Sequence, residues 1–408
     1  MTRDLSADAS LRKRASTVVP GGMYGHMNVG PMPEGYPQFM RSGEGARLWD
    51  ADGNSYLDFM CGWGPVVLGR RHPGVEAAVA RQLAEGDCLN GPSPVMVDLA
   101  ELIVDTVPHA DWALLAKNGT DATTLCVTIA RAATGRRKVL LARGAYHGAA
   151  PWCTPRPAGT LPEDRAHLAY FEYNDIASLR AAVAEAGDDL AAVVVCPVRQ
   201  DNFREQELAT VEFAREVRAL CSAAGAAFVL DDVRCGFRLD LGGSWEPLGV
   251  RPDLAAWSKA IANGYALAAV TGTDAFRDAA TQVFTTGSFW FSAVSMAAAV
   301  ATIGELRESD ALARMAATGQ QLRDGLAEQA AAHGFAVRQT GPVQMPLLTF
   351  PGDEDFRLAR IWTREAVSRG VYLHPWHNWF MSAAHTPEHV ADALSRTDEA
   401  FAALKRQA

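Results

Sequence analysis

Short apolar runs alternate along this chain with longer segments in which apolar residues recur every three or four positions. The runs occupy residues 113–117, 139–143, 191–198, 226–232, 254–258 and 266–272. A strand that is apolar on both faces lies inside a covered sheet, so each run predicts a buried strand, and the periodic segments between them predict helices. The alternation therefore predicts an α/β fold with a large, mostly parallel sheet covered by helices.

The two ends of the chain follow a different pattern. From about residue 300, two helical segments precede short strand-like pieces and a last helix, which predicts a smaller α+β domain. Residues 45–62 predict a hairpin that turns on an Asp-Gly-Asn sequence. We predict three parts, namely an N-terminal segment that joins the small domain (1–60), a large domain (61–298) and a C-terminal small domain (299–408).

Composition and charge restrict the classes of protein that remain. The 408 residues are 49% hydrophobic and 21% charged, as in a globular protein with a large core. The net charge of −9 argues against nucleic acid or an anionic membrane as a partner. We recognise neither a secretory signal nor an apolar stretch long enough to span a bilayer, and we expect a cytoplasmic protein.

The cysteines point the same way. There are seven of them, an odd number, and no two form a CxxC pair. This pattern is typical of reduced, mostly buried thiols and predicts neither a disulfide framework nor a zinc site. We expect no bound metal.

Two groups of polar residues that follow predicted strands could bind an anion and a cationic ring atom. Asn118-Gly119-Thr120 stands between a strand end and a helix start, where backbone N–H groups and a hydroxyl can hold an anion. Asp231 directly follows a buried strand, where a carboxylate requires a cation or strong donors. Taken alone, Asn118-Gly119-Thr120 can also be interpreted as an ordinary helix cap, and Asp231 as an ordinary salt-bridged aspartate.

Two further groups follow strands in the same way. Tyr146 and His147 come shortly after one strand, and an aromatic ring at a strand end can stack on a flat ligand. Lys259 ends the apolar run at 254–258, and a lysine shielded from water titrates low and becomes a nucleophile. Taken alone, Tyr146 can also be interpreted as a tyrosine at the rim of the core, His147 as a hydrogen-bonded histidine, and Lys259 as a surface lysine.

In combination the four groups indicate one ligand. The carboxyl ends of parallel strands meet at one edge of a sheet, so the groups are expected to lie together. An anion cradle, a stacking aromatic, a buried carboxylate and a lysine suit an aromatic aldehyde with a phosphate tail and a pyridine nitrogen. This describes pyridoxal phosphate.

The sequence also resembles a known family over nearly its whole length. "RSGEGARLWDADGNSYLDF", "NGTDA", "AYHG", "LDDVRCGFR", "GVRPDLAAWSKAIANGYALAA" and "GVYLHPWHNWFMSAAHT" occur in the order typical of that family. On these motifs the chain resembles the class III, fold-type I pyridoxal phosphate-dependent aminotransferases, in the branch similar to glutamate semialdehyde aminomutase.

The resemblance implies a role for each matching residue. Lys259 forms the Schiff base and moves the substrate proton, Asp231 pairs with the pyridine nitrogen, and Tyr146 stacks on the ring with His147 beside it. Asn118, Gly119 and Thr120 bind the phosphate. Ser288, in place of a usual threonine, binds the phosphate of the neighbouring subunit, which implies a homodimer with shared active sites. Trp63 and Trp290 are expected on the substrate side.

Several positions depart from the family pattern. The family's Glu-Pro is Cys196-Pro197 here, and the residue expected near the phenolic oxygen of the cofactor falls at Asp201 or Asn202. Asn28 stands at or near the place of the arginine with which the aminomutase holds its substrate carboxylate. An Arg–carboxylate pair is bidentate and strong, and asparagine cannot replace it. The departure argues against glutamate semialdehyde as the substrate.

We therefore predict an aminotransferase that moves an amino group from a small-molecule donor to a keto or aldehyde acceptor. An isomerase that uses the same cofactor, either an aminomutase or an amino-acid racemase, remains as the alternative, because it needs the same lysine. A non-catalytic binding protein of this fold is the third possibility. The identity of donor and acceptor stays open.

Overall fold

A computed structural model describes residues 3–200 and 203–407 of the chain. The chain forms two compact units. The terminal unit contains the chain up to His72, residues 203–205 and the chain from Ala311 onward. The central unit contains Pro73 to residue 200 and the segment Gln206–Asp310. Each unit has its own sheet and helices.

Regular elements are numbered in chain order. The strands are β1 (Met40–Glu44), β2 (Arg47–Asp50), β3 (Ser55–Asp58), β4 (Trp112–Ala116), β5 (Lys138–Ala142), β6 (Leu168–Phe171), β7 (Leu190–Val195), β8 (Val198–Arg199), β9 (Glu207–Leu208), β10 (Ala227–Asp231), β11 (Leu254–Trp257), β12 (Ala268–Gly272), β13 (Arg338–Thr340), β14 (Leu347–Thr349) and β15 (Val371–Tyr372). The helices are α1 (Ser6–Val18), α2 (Pro73–Glu85), α3 (Val95–Thr106), α4 (Gly119–Thr134), α5 (Ile176–Ala186), α6 (Val211–Ala224), α7 (Arg277–Gln282), α8 (Ala293–Glu308), α9 (Ala311–His333), α10 (Arg357–Ser368) and α11 (Pro387–Lys405).

The central unit is built on a seven-stranded sheet in the order β4-β12-β11-β10-β7-β5-β6. Strands β6, β5, β7, β10 and β11 pair in parallel, whereas β12 runs antiparallel to both β11 and β4. Six strands therefore share one direction. This architecture confirms the predicted α/β fold with a mostly parallel sheet.

The sheet is buried because its strands are apolar on both faces. Every residue of β7 and β10 is buried, and one face of the sheet packs against α4 through a continuous core that includes Leu125 and Ile129. Ala227 and Val229 of β10 belong to this core. Phe228, which lies between them in the strand, packs against Trp245, with ring centroids 5.6 Å apart. Since successive residues of a strand point to opposite faces, both faces of β10 are covered.

Helix α4 begins and ends at residues suited to those places. Asn118 is its N-cap and forms a capping box with Asp121, and Gly135 ends it in a left-handed conformation with φ of 67°. Only two residues therefore separate the carboxyl end of β4 from the first residue of α4. The first turn of the helix therefore lies at the edge of the sheet where the parallel strands end.

The terminal unit contains a four-stranded sheet in the order β1-β2-β3-β15. Strands β2 and β3 form the predicted hairpin, and β15 pairs with β3 in parallel. Helix α11 packs against both α9 and α10. None of the helices within residues 3–200 and 203–407 combines the length and the hydrophobicity that a membrane crossing requires.

Candidate active site

A buried pair of side chains lies at the carboxyl ends of two parallel strands in the central unit. Asp231 is the last residue of β10, and His147 lies in the loop that follows β5. The Nδ1 atom of His147 and the Oδ2 atom of Asp231 are 2.7 Å apart, and both residues are at least 95% shielded from solvent, with exposures of 2% and 5%. The imidazole thus supplies the strong partner that a buried carboxylate requires.

The adjacent carboxylate, Asp232, has a separate set of partners. Its oxygens accept hydrogen bonds from the hydroxyl of Ser244 at 2.5 Å and from the backbone N–H of Ser244 at 2.8 Å. Burial raises the pKa of Asp232 to about 7, against the opposing effect of these bonds. The side chains of Asp231 and Asp232 therefore have different partners, as expected because adjacent residues at a strand end point in opposite directions.

Lys259 lies two residues beyond the end of β11, at the start of a single helical turn, Lys259–Ala262. Its φ of 48° is in the left-handed region, which is uncommon for a residue with a side chain and tends to occur at functional sites. Burial lowers the pKa of Lys259 to about 8, Arg234 lowers it further, and Asp231 opposes the shift. Within the described chain no group accepts a hydrogen bond from its Nζ atom.

The N-terminus of α4 offers backbone donors. The capping box is closed by Asn118 Oδ1, which accepts from the N–H of Asp121 at 3.1 Å, and by Asp121 Oδ2, which accepts from the N–H of Asn118 at 3.0 Å. Among residues 3–200 and 203–407, no group accepts from the N–H of Gly119 or Thr120. Two free N–H groups at the positive end of a sixteen-residue helix are donors suited to an anion.

Close packing joins this helix start to the loop that carries His147. The hydroxyl of Thr123 donates to the carbonyl of His147 at 2.7 Å, and the hydroxyl of Thr120 accepts from the N–H of Ala149 at 3.1 Å. A Cβ atom on Gly148 would lie 2.6 Å from Thr120 Oγ1, and Gly148 has φ of 122°. Only glycine permits this approach, so the loop position depends on it.

A second glycine brings the helix start close to the segment after β10. A Cβ atom on Gly119 would lie 2.7 Å from Cγ1 of Val233, whose own N–H donates to Asp231 at 3.2 Å. Steric contact and hydrogen bonding therefore hold the anion cradle and the buried carboxylate in one rigid group.

Two more side chains border this group. Tyr146 is 45% exposed, which leaves much of its ring available for stacking. The thiol of Cys196, directly after β7, lies 3.8 Å from His147 Nδ1 and 3.9 Å from Asp231 Oδ2. The sequence identified Cys196 only as a departure from the family pattern. Its proximity to the aspartate was not foreseen, although its position at a strand end was the available signal.

The arrangement satisfies the requirements of pyridoxal phosphate. The free N–H groups at the start of α4 suit its phosphate, and the buried carboxylate suits a protonated pyridine nitrogen. The buried Nε2 atom of His147 has no partner among the described residues, as expected if a ligand completes the site. The lysine with a lowered pKa suits the aldehyde. All of these groups belong to the central unit.

The remaining predicted residues of the central unit have other surroundings. Ser288 is exposed, and among the described residues it forms no hydrogen bond with Lys259 or Asp231. Trp290 is half-buried and packs against the hydrophobic core. Arg199 forms an ion pair with Glu207 at 2.9 Å. The predicted candidates Asp201 and Asn202 lie outside the described residues.

Asn28 and Trp63, the two substrate-side candidates of the terminal unit, line one pocket. Its volume is about 500 Å³. The wall includes five methionines, Met23, Met27, Met32, Met40 and Met60. Two arginines also contribute to it. Arg70 is paired with Asp58 at 2.5 Å, and Arg41 is exposed.

A strained turn holds Trp63 in this wall. Cys61, Gly62, Trp63 and Gly64 all have positive φ, and Trp63 has the value of 67° that a bulky residue rarely adopts. The carboxylate of Asp58 accepts hydrogen bonds from the backbone at the start of this turn, at 2.8 and 3.0 Å. The indole then meets three histidine rings edge-on, those of His26, His374 and His377.

Comparison with known proteins agrees with this geometry. The family model for class-III aminotransferases matches residues 31–395, and the chain belongs to that family. Because this family and the solved relatives described below use pyridoxal phosphate, the enzyme is a pyridoxal phosphate-dependent aminotransferase.

Individual relatives extend over nearly the whole chain. Aminopentol aminotransferase of Sphingopyxis macrogoltabida is 50% identical over 396 residues, which cover 97% of this chain and 94% of the relative. Glutamate-1-semialdehyde 2,1-aminomutase of Polaromonas naphthalenivorans is 32% identical and covers 97% of each chain. The solved PLP internal aldimine form of the FumI protein from Sphingopyxis sp. MTA144 superposes with a TM-score of 0.98 at 49% identity, covering 98% of this chain and 97% of that one.

These relatives decide between the predicted classes of function. They confirm an enzyme of the aminotransferase class and exclude the non-catalytic alternative. The isomerase remains a minor alternative, supported by the aminomutase relative.

Proposed function

We propose that this aminotransferase acts on an amine with a long, weakly charged carbon chain, and that the pocket of the terminal unit receives that chain. The observation that carries the proposal is the pocket wall. Five methionines give it an apolar surface that adapts to flexible ligands, and Asn28 takes the place of the arginine clamp.

The charges of the wall support the same substrate class. The guanidinium of Arg70 is neutralised by Asp58, so Arg41 is the arginine left to attract a carboxylate. Arg41 is exposed, and an ion pair in water contributes little to binding. A substrate that depended on a carboxylate would find weak support here. The 50% identical relative is named for an aminopentol, an amine rather than an amino acid, which agrees with the proposal.

The central unit carries the chemistry in this proposal. When bound, pyridoxal phosphate supplies an aldehyde carbon that accepts amines and a pyridinium ring that withdraws electrons from the reacting bond. Lys259, whose pKa is lowered by burial, would hold the cofactor through its Nζ atom, and the same atom, when free, would accept and release the proton of the substrate carbon.

The other residues bind and orient. The N–H groups of Gly119 and Thr120 would hold the phosphate, with Asn118 as the cap that leaves them free. The ring of Tyr146 would lie against the cofactor ring. Asp231 would hold the pyridine proton, and His147 fixes this carboxylate in position through the 2.7 Å contact. Since both side chains are buried, water does not weaken their interaction.

The proposal includes a homodimer and a cytoplasmic location. Ser288 lies on an exposed turn, as suits a residue that completes the phosphate site of a second subunit. Trp290 follows it in the same turn and is assigned to the substrate side on the resemblance alone. The free cysteines suit a reducing compartment.

A screen of amino donors tests the proposed substrate class. Each donor is added alone, and conversion of the cofactor to its amine form is followed by absorption. A straight-chain 2-aminoalkane should convert the cofactor and leave a stoichiometric ketone, whereas glutamate should convert it slowly. Fast conversion by glutamate that Arg41→Gln abolishes would overturn the proposal, because the pocket would then recognise a carboxylate.

The variant Asn28→Arg provides the matched comparison. It should restore a clamp, and it should shift the preference of the enzyme from the aminoalkane toward glutamate by about tenfold or more. The same assay separates the isomerase, since repeated turnover of one compound without any acceptor is incompatible with a transaminase.

A further inference from the structure

His374 follows β15 and lies in the wall of the terminal-unit pocket, where its two ring nitrogens have different surroundings. Nδ1 accepts hydrogen bonds from the backbone N–H groups of Trp376 at 3.3 Å and His377 at 3.1 Å. A nitrogen that accepts from N–H donors carries no proton, so the neutral ring carries its proton on Nε2. The backbone of the loop thus fixes the tautomer.

The Nε2–H group is available to a ligand. Among residues 3–200 and 203–407 no group accepts from it, and the atom is not sealed inside the protein. Burial lowers the pKa of His374 to about 3, so the ring stays neutral at ordinary pH. His374 therefore presents an uncharged donor in a fixed direction.

The surroundings of this donor are apolar or aromatic. The ring of Trp63 meets the imidazole edge-on at 5.3 Å, and that of Trp376 does so at 5.1 Å on another side. The methionines complete much of the wall. A few fixed polar groups in a largely apolar pocket commonly set the orientation of a ligand.

Asn28 provides a second donor in the same wall. Its Oδ1 atom accepts from the N–H of Gly30 at 2.8 Å, so the oxygen is used within its own loop. What remains for a ligand is the amide NH₂ group, which only donates. The Nε2–H group of His374 and the amide NH₂ group of Asn28 are therefore both uncharged donors that can bind an acceptor atom of a ligand.

We propose that His374 selects substrates that carry a hydroxyl oxygen on the carbon chain, with Nε2–H as the donor to that oxygen. The inference rests on the proposed function, since it concerns the chain that the pocket receives. A neutral acceptor suits a neutral donor, whereas a substrate carboxylate would depend on the exposed Arg41, since Arg70 is already paired with Asp58. His374 is thereby a specificity-determining residue of the reaction.

The expected preference follows from the energy of one neutral hydrogen bond. Such a bond changes relative kcat/KM by about tenfold. An analogue that lacks the hydroxyl leaves the N–H without an acceptor in an apolar wall, and this loss produces the discrimination.

The test uses a straight-chain 2-aminoalkane and a series of its monohydroxylated analogues, with the hydroxyl moved along successive carbons. The ratio of kcat/KM for each hydroxylated amine to that for the parent amine is measured with the holoenzyme. In the wild type, one position of the hydroxyl should raise this ratio about tenfold. Two variants of His374 then distinguish its role as a hydrogen-bond donor to the substrate from its role in holding the loop backbone.

His374→Asn keeps an acceptor near Nδ1 for the two backbone N–H groups but cannot reach the place of Nε2, so the preference should fall to about one. His374→Gln places an amide N–H near Nε2 and should restore part of the preference. His167→Asn, at an exposed histidine of the central unit, is the matched control and should keep the wild-type ratio.

Each outcome distinguishes the two proposals. If none of the amines is a substrate, the proposed function fails. If the amines react but the wild type shows no preference at any hydroxyl position, or His374→Asn keeps the wild-type preference, the assignment of His374 is wrong while the substrate class stands. If neither variant folds, Asn28→Ala decides: a preference that survives this change supports His374, and a preference that is lost assigns the contact to Asn28 instead.

Discussion

His147 and Asp231 form a buried hydrogen-bonded pair whose atoms Nδ1 and Oδ2 are 2.7 Å apart, although 84 residues separate them in the sequence. The pair joins the loop after β5 to the end of β10, and the thiol of Cys196 borders it. His147 therefore positions the carboxylate of Asp231, and this contact forms only when the chain folds.

The first prediction concerns the charge of this pair. Asp231→Asn should leave the fold intact and lower kcat by about a hundredfold or more, because the pyridine nitrogen loses its anionic partner. Melting temperature and cofactor content report on folding, and single-turnover kinetics report on the chemistry. Near-normal turnover in this variant would show that another carboxylate pairs with the ring nitrogen.

The second prediction concerns the protonation of Lys259. With its pKa lowered from 10.5 to about 8, the lysine of the cofactor-free protein is neutral above that pH. Only the neutral amine attacks an aldehyde, so the rate of cofactor uptake should rise with pH and level off above a midpoint near 8. Stopped-flow absorption measures the rate, and Lys259→Ala should form no borohydride-reducible linkage.

The same shift affects stability. The unfolded chain binds this proton more tightly than the folded chain, so the free energy of unfolding of the cofactor-free protein should increase between pH 8 and 10.5. Lys259→Ala should lack this contribution.

The lowered pKa of Lys259 would be contradicted if the rate of cofactor uptake did not change with pH.

The third prediction concerns Gly148. In Gly148→Ala the new Cβ atom would lie 2.6 Å from Thr120 Oγ1, so the loop must move away from the start of α4. Affinity for the cofactor should fall by about tenfold or more, since the donors at that helix start lose their alignment. The measurement is a cofactor titration of the apoenzyme.

Gly159→Ala is the matched control for this change. Gly159 also has a positive φ, of 79°, but a Cβ atom there would meet nothing within 4 Å. Both variants should lose about 1 kcal/mol of stability through backbone strain, whereas only Gly148→Ala should lose cofactor affinity. Equal affinities in the two variants would mean that the contact with Thr120 is unimportant.

The fourth prediction concerns the shared site. A Lys259→Ala subunit and a subunit altered at Ser288 should each be weakly active as homodimers, and mixing them should restore part of the activity. Restoration follows if Ser288 serves the phosphate site of its partner, because a heterodimer then contains one complete site. Subunit exchange must be shown independently, and exchange without complementation would argue against shared sites.

The candidate residues of the cofactor site could be proposed from the sequence because each follows an apolar run. Parallel strands end at one edge, so Asn118, His147, Asp231 and Lys259 could be expected together before any distance was known. The pairing of His147 with Asp231 could not, because hydrogen-bond partners depend on the path of the loop.

Other features required coordinates for different reasons. Strand β12 is as apolar as its neighbours, and nothing in residues 268–272 reveals that it runs antiparallel. Likewise, the importance of His374 lies in its tautomer, which the backbone of two later residues determines. A histidine beside tryptophans in the sequence gives no sign of which nitrogen carries the proton.

The left-handed turn from Cys61 to Gly64 has a consequence for how this enzyme can change its substrates. Because the backbone and the Asp58 carboxylate fix the direction of Trp63, that part of the wall cannot be reshaped without breaking the turn. The methionines of the wall other than Met60 take no part in this turn and can be replaced. New specificities should therefore arise by exchange of methionines around a constant tryptophan, and a library for directed evolution should vary the former and keep the latter.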